Sequence, residues 1–123
     1  MSKKVFISYH FNDKTYKGEV KKWLEEAGAE VISVDENDLR PLGDSVVEAN
    51  IRNDISRVHL VLILVGNDTH NRPWVDYEVA VARSIGVTTF WIRLPNRTGA
   101  APKEVRGLNC INYEKGTIIK ILN

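Results

Sequence analysis

His59-Leu60-Val61-Leu62-Ile63-Leu64-Val65-Gly66 is the most apolar stretch of the chain. Six aliphatic residues in a row, with no polar alternation, suit a strand buried on both faces, as in a parallel sheet covered by helices. The run is far too short for a membrane span, which needs about 20 apolar residues. Toward the C-terminus, Gly66 to Pro73 is a polar loop, and Pro73 suits the first turn of the helix that follows, since a first-turn N–H has no partner to lose. Trp74 to Ile85 keeps helical spacing until Gly86 stops it, and Val87 to Leu94 reads as a fourth strand. Beyond a Pro- and Gly-rich loop with a helical turn around Glu104, Asn109 to Asn112 reads as a short fifth strand. Glu114 to Leu122 reads as a closing helix.

Toward the N-terminus, Ser45-x-x-Glu48 has the form of a capping box, opening a helix with Val47, Ile51, Ile55 and Val58 at helical spacing. Asp35 to Asp44 is a loop containing Pro41 and Gly43, and Ala29 to Val34 reads as the second strand. A helix from about Lys14 places Tyr16, Val20, Trp23, Leu24 and Ala27 on one face, with Gly28 as its stop. Val5-Phe6-Ile7 is the first buried strand, ending near Tyr9.

Strands alternating with helices imply an α/β domain with a parallel sheet covered on both faces. For five strands the expected architecture is flavodoxin-like and doubly wound, in order 2-1-3-4-5, with Leu60, Leu62 and Leu64 fully buried. Its switch point lies between strands one and three, and ligands bind outside the carboxyl ends of the strands there. The segments to search are therefore His10 to Asp13, Asp35 to Asp44, and Gly66 to the third helix.

The 123 residues are expected to form a single domain, 1–123; 43% apolar and 27% charged residues are ordinary globular material. Seventeen basic and sixteen acidic side chains leave a net charge of +1, spread along the chain. No basic stripe points to nucleic acid, and no basic amphipathic segment points to a membrane surface. A lone cysteine, Cys110, has no internal disulfide partner, which suits a reducing compartment. Only Val5, Phe6 and Ile7 are continuously apolar near the N-terminus, too few for a signal peptide, so a cytoplasmic location is expected. His10, His59, His70 and Cys110 lack metal-ligand spacing, and no metal is expected. His10 and His70 can still approach each other at the switch point. His59 is expected merely to open its strand, Trp23 and Trp91 to be core, and Cys110 to be inert. Gly66 follows a strand but lacks the further glycines of a dinucleotide fingerprint.

One residue of the third helix is out of place. With Trp74 at zero and about 100° per residue, Ile85, Ala82 and Val75 fall at roughly 20°, 80° and 100°. Glu78 falls at about 40°, inside this apolar arc, whereas Asp76 and Arg83 lie on the opposite side. A carboxylate facing the core costs several kcal/mol (of order) unless it is paired or reaches water through a cleft. One account is structural: Glu78 reaches the rim or pairs with Arg40 or Arg72. The other is functional: Glu78 lies near the helix start, at the carboxyl edge of the sheet, one turn after Trp74. An aromatic wall and a carboxylate then share a pocket suited to a ribosyl group and a flat base.

These residues resemble a known family. Lys4-Val5-Phe6-Ile7-Ser8-Tyr9 is similar to the first box of TIR domains, and Pro41-Leu42-Gly43 lies where they carry a Pro-Gly-bearing loop after the second strand. Trp74-x-x-x-Glu78 is similar to their Trp-x-x-x-Glu, whose glutamate is catalytic in TIR enzymes that hydrolyse NAD. The stretch from Val65 to Val79 most resembles the TIR-like proteins of bacterial Thoeris anti-phage systems. The chain departs from the family pattern at Asn71, Arg72 and Val75, and in the run His10-Phe11-Asn12-Asp13.

The resemblance implies cleavage of the nicotinamide–ribose bond with Glu78 as the catalytic residue. It implies contacts to NAD from Ser8, His10, Phe11, Arg40, Asn67 and Trp74, with NAD as substrate and no further cofactor. It also implies self-association to complete the site, and a downstream effector that senses the nucleotide product. Which product forms (ADP-ribose, a cyclic isomer or a conjugate) stays open. The alternatives are a non-enzymatic TIR-like interaction module, a nucleoside deoxyribosyltransferase, and a response-regulator receiver. The last would need an acidic pair at the end of strand one, where none stands.

Overall fold

The aliphatic run at the centre of the chain forms β3 (Leu60–Val65), every residue of it buried. The computed structural model describes residues 3–33, 43–67, 73–95, 101 and 103–123, with the backbone alone at Phe11, Pro73 and Glu104. Among these residues the order is β1 (Lys4–Ser8), a 3-10 turn (Phe11–Asp13), α1 (Lys14–Glu26), β2 (Glu30–Ile32), α2 (Asp44–Ser56) and β3. There follow α3 (Pro73–Ile85), β4 (Thr88–Arg93), a second 3-10 turn (Lys103–Val105), β5 (Asn109–Ile111) and α4 (Lys115–Lys120). The strands form one sheet in order β2-β1-β3-β4-β5. Every pairing is parallel; Phe6 lies opposite Ile32 on one side and Val61 on the other. The expected architecture and strand order are thus those observed.

Strand residues point alternately to the two sides, so each buried strand feeds two cores. Phe6 with Val61, Ile63 and Val65 packs against Val47, Ile51 and Ile55 of α2 and Val75, Val79 and Ala82 of α3. Val5 and Ile7 with Leu60, Leu62 and Leu64 pack against Val20 and Leu24 of α1 and Ile118 of α4. Each such aliphatic side chain contributes about 1.5–3 kcal/mol by leaving water, which is why an unbroken apolar strand must lie at the centre. α4 is docked by an aromatic group: the Tyr113 ring meets Tyr16 edge-on at 5.5 Å and Trp23 at 5.3 Å. The Tyr113 hydroxyl donates to Glu19 at 2.6 Å. Burial, and then this carboxylate, push the Tyr113 pKa well above the ordinary tyrosine value.

Several local expectations need correction. Ser45 does not cap its helix: it is the second helical residue, and Gly43 takes the cap position at φ 97°, with no side-chain cap bond. A glycine at that positive φ sets the chain's entry angle by itself, and the Val47 N–H bonds to the Gly43 carbonyl at 3.2 Å. Ala27 is exposed, because α1 ends at Glu26 and the chain turns away before Gly28. Ile85, placed in the apolar arc of the third helix, is 44% exposed. It is the last residue of α3, where the Gly86 and Val87 N–H groups fold back onto the Ala82 carbonyl and carry its side chain past the sheet. Trp23 and Trp91 are partly buried rather than core; Trp91 keeps its indole N–H on the Leu108 carbonyl at 3.2 Å. Cys110 is exposed, since β5 is an edge strand. No helix among the described residues is long and apolar enough to cross a membrane.

Candidate functional site

The carboxyl ends of β1 and β3 are neighbours in the sheet, and the loops leaving them diverge to opposite faces, the first to α1 and the second to α3. This is the switch point, where a crevice forms because the two chains part. Ser8 is the last residue of β1, opposite Ile63 in register. It is 1% exposed, and its hydroxyl has no hydrogen-bond partner among the described residues. Leaving a buried hydroxyl unsatisfied costs about 1–3 kcal/mol, so such a group at a ligand edge points to a ligand. By alternation along β1, Ser8 faces the same side of the sheet as Phe6, the side covered by α2 and α3.

α3 runs back from that edge, so its first turns lie at the mouth of the crevice. Glu78, in the second turn, is 1% exposed. Val75 and Val79, which flank it on the helix face, are fully buried. The carboxylate is therefore in the core face, as its angular position predicts. Trp74 is partly buried, and its ring meets Tyr77 edge-on at 5.8 Å. The Tyr77 hydroxyl in turn accepts from Arg52 of α2 at 3.3 Å. Trp74 is thereby braced by its own helix and by α2.

The first loop carries His10, which is half-buried. Its carbonyl accepts from the Asp13 N–H at 2.8 Å, and its Nδ1 accepts from the Asn12 N–H at 3.0 Å. A neutral imidazole so held carries its proton on Nε2, the atom left for a ligand. Phe11 stands in the same turn, and Asn67 is exposed at the start of the loop after β3. Arg40, His70, Arg72 and the Pro41-Leu42 pair lie outside the described residues. His59 plays its plain part: its Nδ1 accepts from the Lys4 N–H at 3.0 Å, and its own N–H bonds to the Lys4 carbonyl at 2.9 Å.

Asp13 ends the first of the segments expected at the switch point, but it is not among the expected site residues. It makes no side-chain cap on α1, and it is 2% exposed, with its carboxylate against Gly66. The available signal was Gly66 itself: a glycine directly after a buried strand marks the close approach of another group.

Among the described residues no group of three His, Cys, Asp or Glu side chains could hold a metal ion. A surface groove runs along α1, lined by Lys14, Lys17, Gly18, Lys21, Lys22, Glu25 and Glu26. Its walls come from one helix, and Lys21 and Lys22 pair one turn on with Glu25 and Glu26 at 3.6 and 4.0 Å. That is a solvated charged face, with nothing to compare with the buried carboxylate and hydroxyl at the switch point. A carboxylate held on a dry helix face beside an aromatic ring can stabilise positive charge developing on a bound sugar.

Solved structures of similar fold include the TIR domain of the Toll-related receptor TRR-2 of Hydra magnipapillata, with TM-score 0.70 and 18% identity over 89% of this chain and 82% of that one. The CMP N-glycosidase BcmB of Clostridium botulinum aligns with TM-score 0.64 and 20% identity over 98% of each chain. The TIR domains of the activated Roq1 resistosome align with TM-score 0.56 and 18% identity, over 74% of this chain and 58% of that one. At such identities the likeness establishes a common fold. None of the curated proteins matches the chain in sequence. The family model described as Thoeris protein ThsB, TIR-like domain, matches residues 6–98, from β1 past the end of β4, and the chain belongs to that family.

Proposed function

We propose that this protein cleaves the bond between nicotinamide and ribose in NAD, with Glu78 as the catalytic residue. The observation that carries this is a carboxylate 1% exposed on the core face of α3, in the turns nearest the carboxyl edge of the sheet. Nicotinamide in NAD is already a cationic leaving group. When the C1′–N bond breaks, its electron pair goes to the nitrogen, nicotinamide departs neutral, and the positive charge moves to the ribose. Glu78 stabilises that oxocarbenium-like ribose and holds its hydroxyls. Trp74 shields the sugar or stacks on the base. Ser8 offers its buried, unpartnered hydroxyl to the substrate, and His10, Phe11 and Asn67 line the loops, with Arg40 reaching the phosphates. Attack by water gives ADP-ribose and a proton; capture by a group within the molecule gives a cyclic isomer. No further cofactor enters this chemistry.

Family membership supports a role in Thoeris anti-phage defence, in which the ADP-ribose-derived product signals to an effector that senses nucleotides. Self-association completes the site in this proposal, as the resemblance to TIR enzymes implies. The test is to incubate concentrated protein with NAD and follow nicotinamide by chromatography. Its release supports the proposal; intact NAD under every assembly condition overturns it. A second substrate class is favoured by one observation: the CMP N-glycosidase shares the fold over nearly its full length. A buried carboxylate would serve any N-ribosyl bond, so a parallel incubation with CMP, read by release of cytosine, separates the two.

A further inference from the structure

We infer that Asp13 is a positioning residue: its carboxylate, closed on the bare Cα of Gly66, sets the spacing of the two loops between which the substrate binds. This rests on the NAD-cleavage proposal for its consequence, but on geometry for its substance. A Cβ added to Gly66 would lie 2.6 Å from the Asp13 Cγ and closer still to both carboxylate oxygens. Atoms do not approach so closely, so the carboxylate occupies the space a side chain at 66 would need. The Gly66 backbone lies outside the left-handed region, so what requires glycine here is room. Gly66 is itself buried.

The two residues belong to the two loops that leave the switch point. Asp13 closes the 3-10 turn that bears His10 and Phe11, and its N–H is held by the His10 carbonyl at 2.8 Å. Gly66 immediately follows β3 and precedes Asn67 and the loop to α3. The pairing of β1 with β3 ends at Ser8 and Ile63. The Asp13–Gly66 contact thus bridges the two loops past the last ladder pair. The position explains why a short acidic side chain is buried at 2% exposure without capping its own helix. The helix that carries Glu78 is held on the sheet by Val75, Val79 and Ala82. Disturbing the contact therefore moves the walls of the site and leaves the catalytic carboxylate in place, so the loss falls on KM more than on kcat.

The experiment is a cycle of Gly66→Ala, Asp13→Ala and the double variant, with steady-state NAD cleavage and amide hydrogen exchange measured on each. Gly66→Ala forces the carboxylate out. It is expected to lower kcat/KM on the order of tenfold to a hundredfold, chiefly by raising KM, and to speed exchange at residues 10–13 and 66–67 together. In the double variant the new methyl group enters the space the carboxylate left, and both KM and exchange return toward the unsubstituted protein. Should Asp13→Ala alone fail to fold, Asp13→Ser combined with Gly66→Ala takes its place in the cycle. Effects that simply multiply in the double variant overturn the inference, as does faster exchange in one loop only or a lowered melting temperature with KM unchanged. If the unsubstituted protein leaves NAD intact, the proposed activity fails; the exchange measurements then decide the loop contact on their own.

Discussion

Replacing Glu78 by glutamine keeps the volume of the side chain and its capacity to hydrogen-bond, and removes the charge. If Glu78 stabilises the ribosyl cation, the loss is that of one preorganised electrostatic group in a dry site, about 3–4 kcal/mol or 10²–10³-fold in kcat. The effect on stability has its own sign. Glu78 is 1% exposed between fully buried Val75 and Val79, so the folded state bears the cost of keeping a carboxylate from water. That cost is several kcal/mol (of order) before compensation, and neutralising the group leaves stability unchanged or raises it by about 1 kcal/mol. For a domain of this length such a gain moves Tm by about 3–6 °C. Both quantities are measured on one preparation: nicotinamide release by chromatography, and unfolding by calorimetry. The structural account makes the opposite prediction, because a partner cation stranded by the substitution lowers Tm while chemistry continues. Full turnover with a clearly lowered Tm would refute the catalytic assignment.

Leu62→Ala, at the buried centre of β3, is expected to cost about 2–5 kcal/mol, seen as a fall in the urea midpoint with little change in slope. Ser45→Ala should change stability by less than about 0.5 kcal/mol, as for a surface site. Gly43→Ala should cost about 1–3 kcal/mol because of its backbone conformation; denaturation of the pair ranks the two. Tyr113 has its folded pKa raised, first by burial and then by Glu19. Its contribution to stability is therefore complete below the unfolded value of about 10 and is lost as pH rises from there toward the folded value. Denaturation between neutral and alkaline pH should show that loss, and Tyr113→Phe should remove that part of the slope.

The fold was legible because its determining signals are physical necessities. A strand such as Leu60–Val65, apolar at every position, has no face to show to water and so must be central. Glycine 86 stops α3 because its positive φ lets the chain reverse onto the Ala82 carbonyl. What failed were judgements that depend on where an element ends. Ala27 and Ile85 both fit the helical period of a buried face, and both are exposed. Periodicity says which way a side chain points around an axis, but nothing of whether the sheet still lies beneath it at the last turn. Ser45 failed for a related reason: the capping-box pattern was present one residue inside the helix, and Gly43 had already set the entry.

The candidate site was legible where it broke a rule and hidden where it obeyed one. Glu78 stood out because a carboxylate in an apolar arc contradicts its surroundings, and its burial follows from that angle alone. Asp13 broke no pattern in one dimension: it lies in a segment near the switch point, and nothing in the sequence gives its side chain a role. Only the three-dimensional contact shows its side chain turned from α1 toward Gly66, thirty-odd positions beyond the second strand and on a different loop. Ser8 lies between these cases. Its residue type is unremarkable at a strand end, yet its depth and its unpartnered hydroxyl together mark the crevice. The three polar groups answer to one physical condition. Each is buried, and all lie on β1, on the loop after it, or on the helix that returns from β3. A parallel sheet cannot avoid a crevice where its connections part, and it is around that crevice that these three polar groups gather.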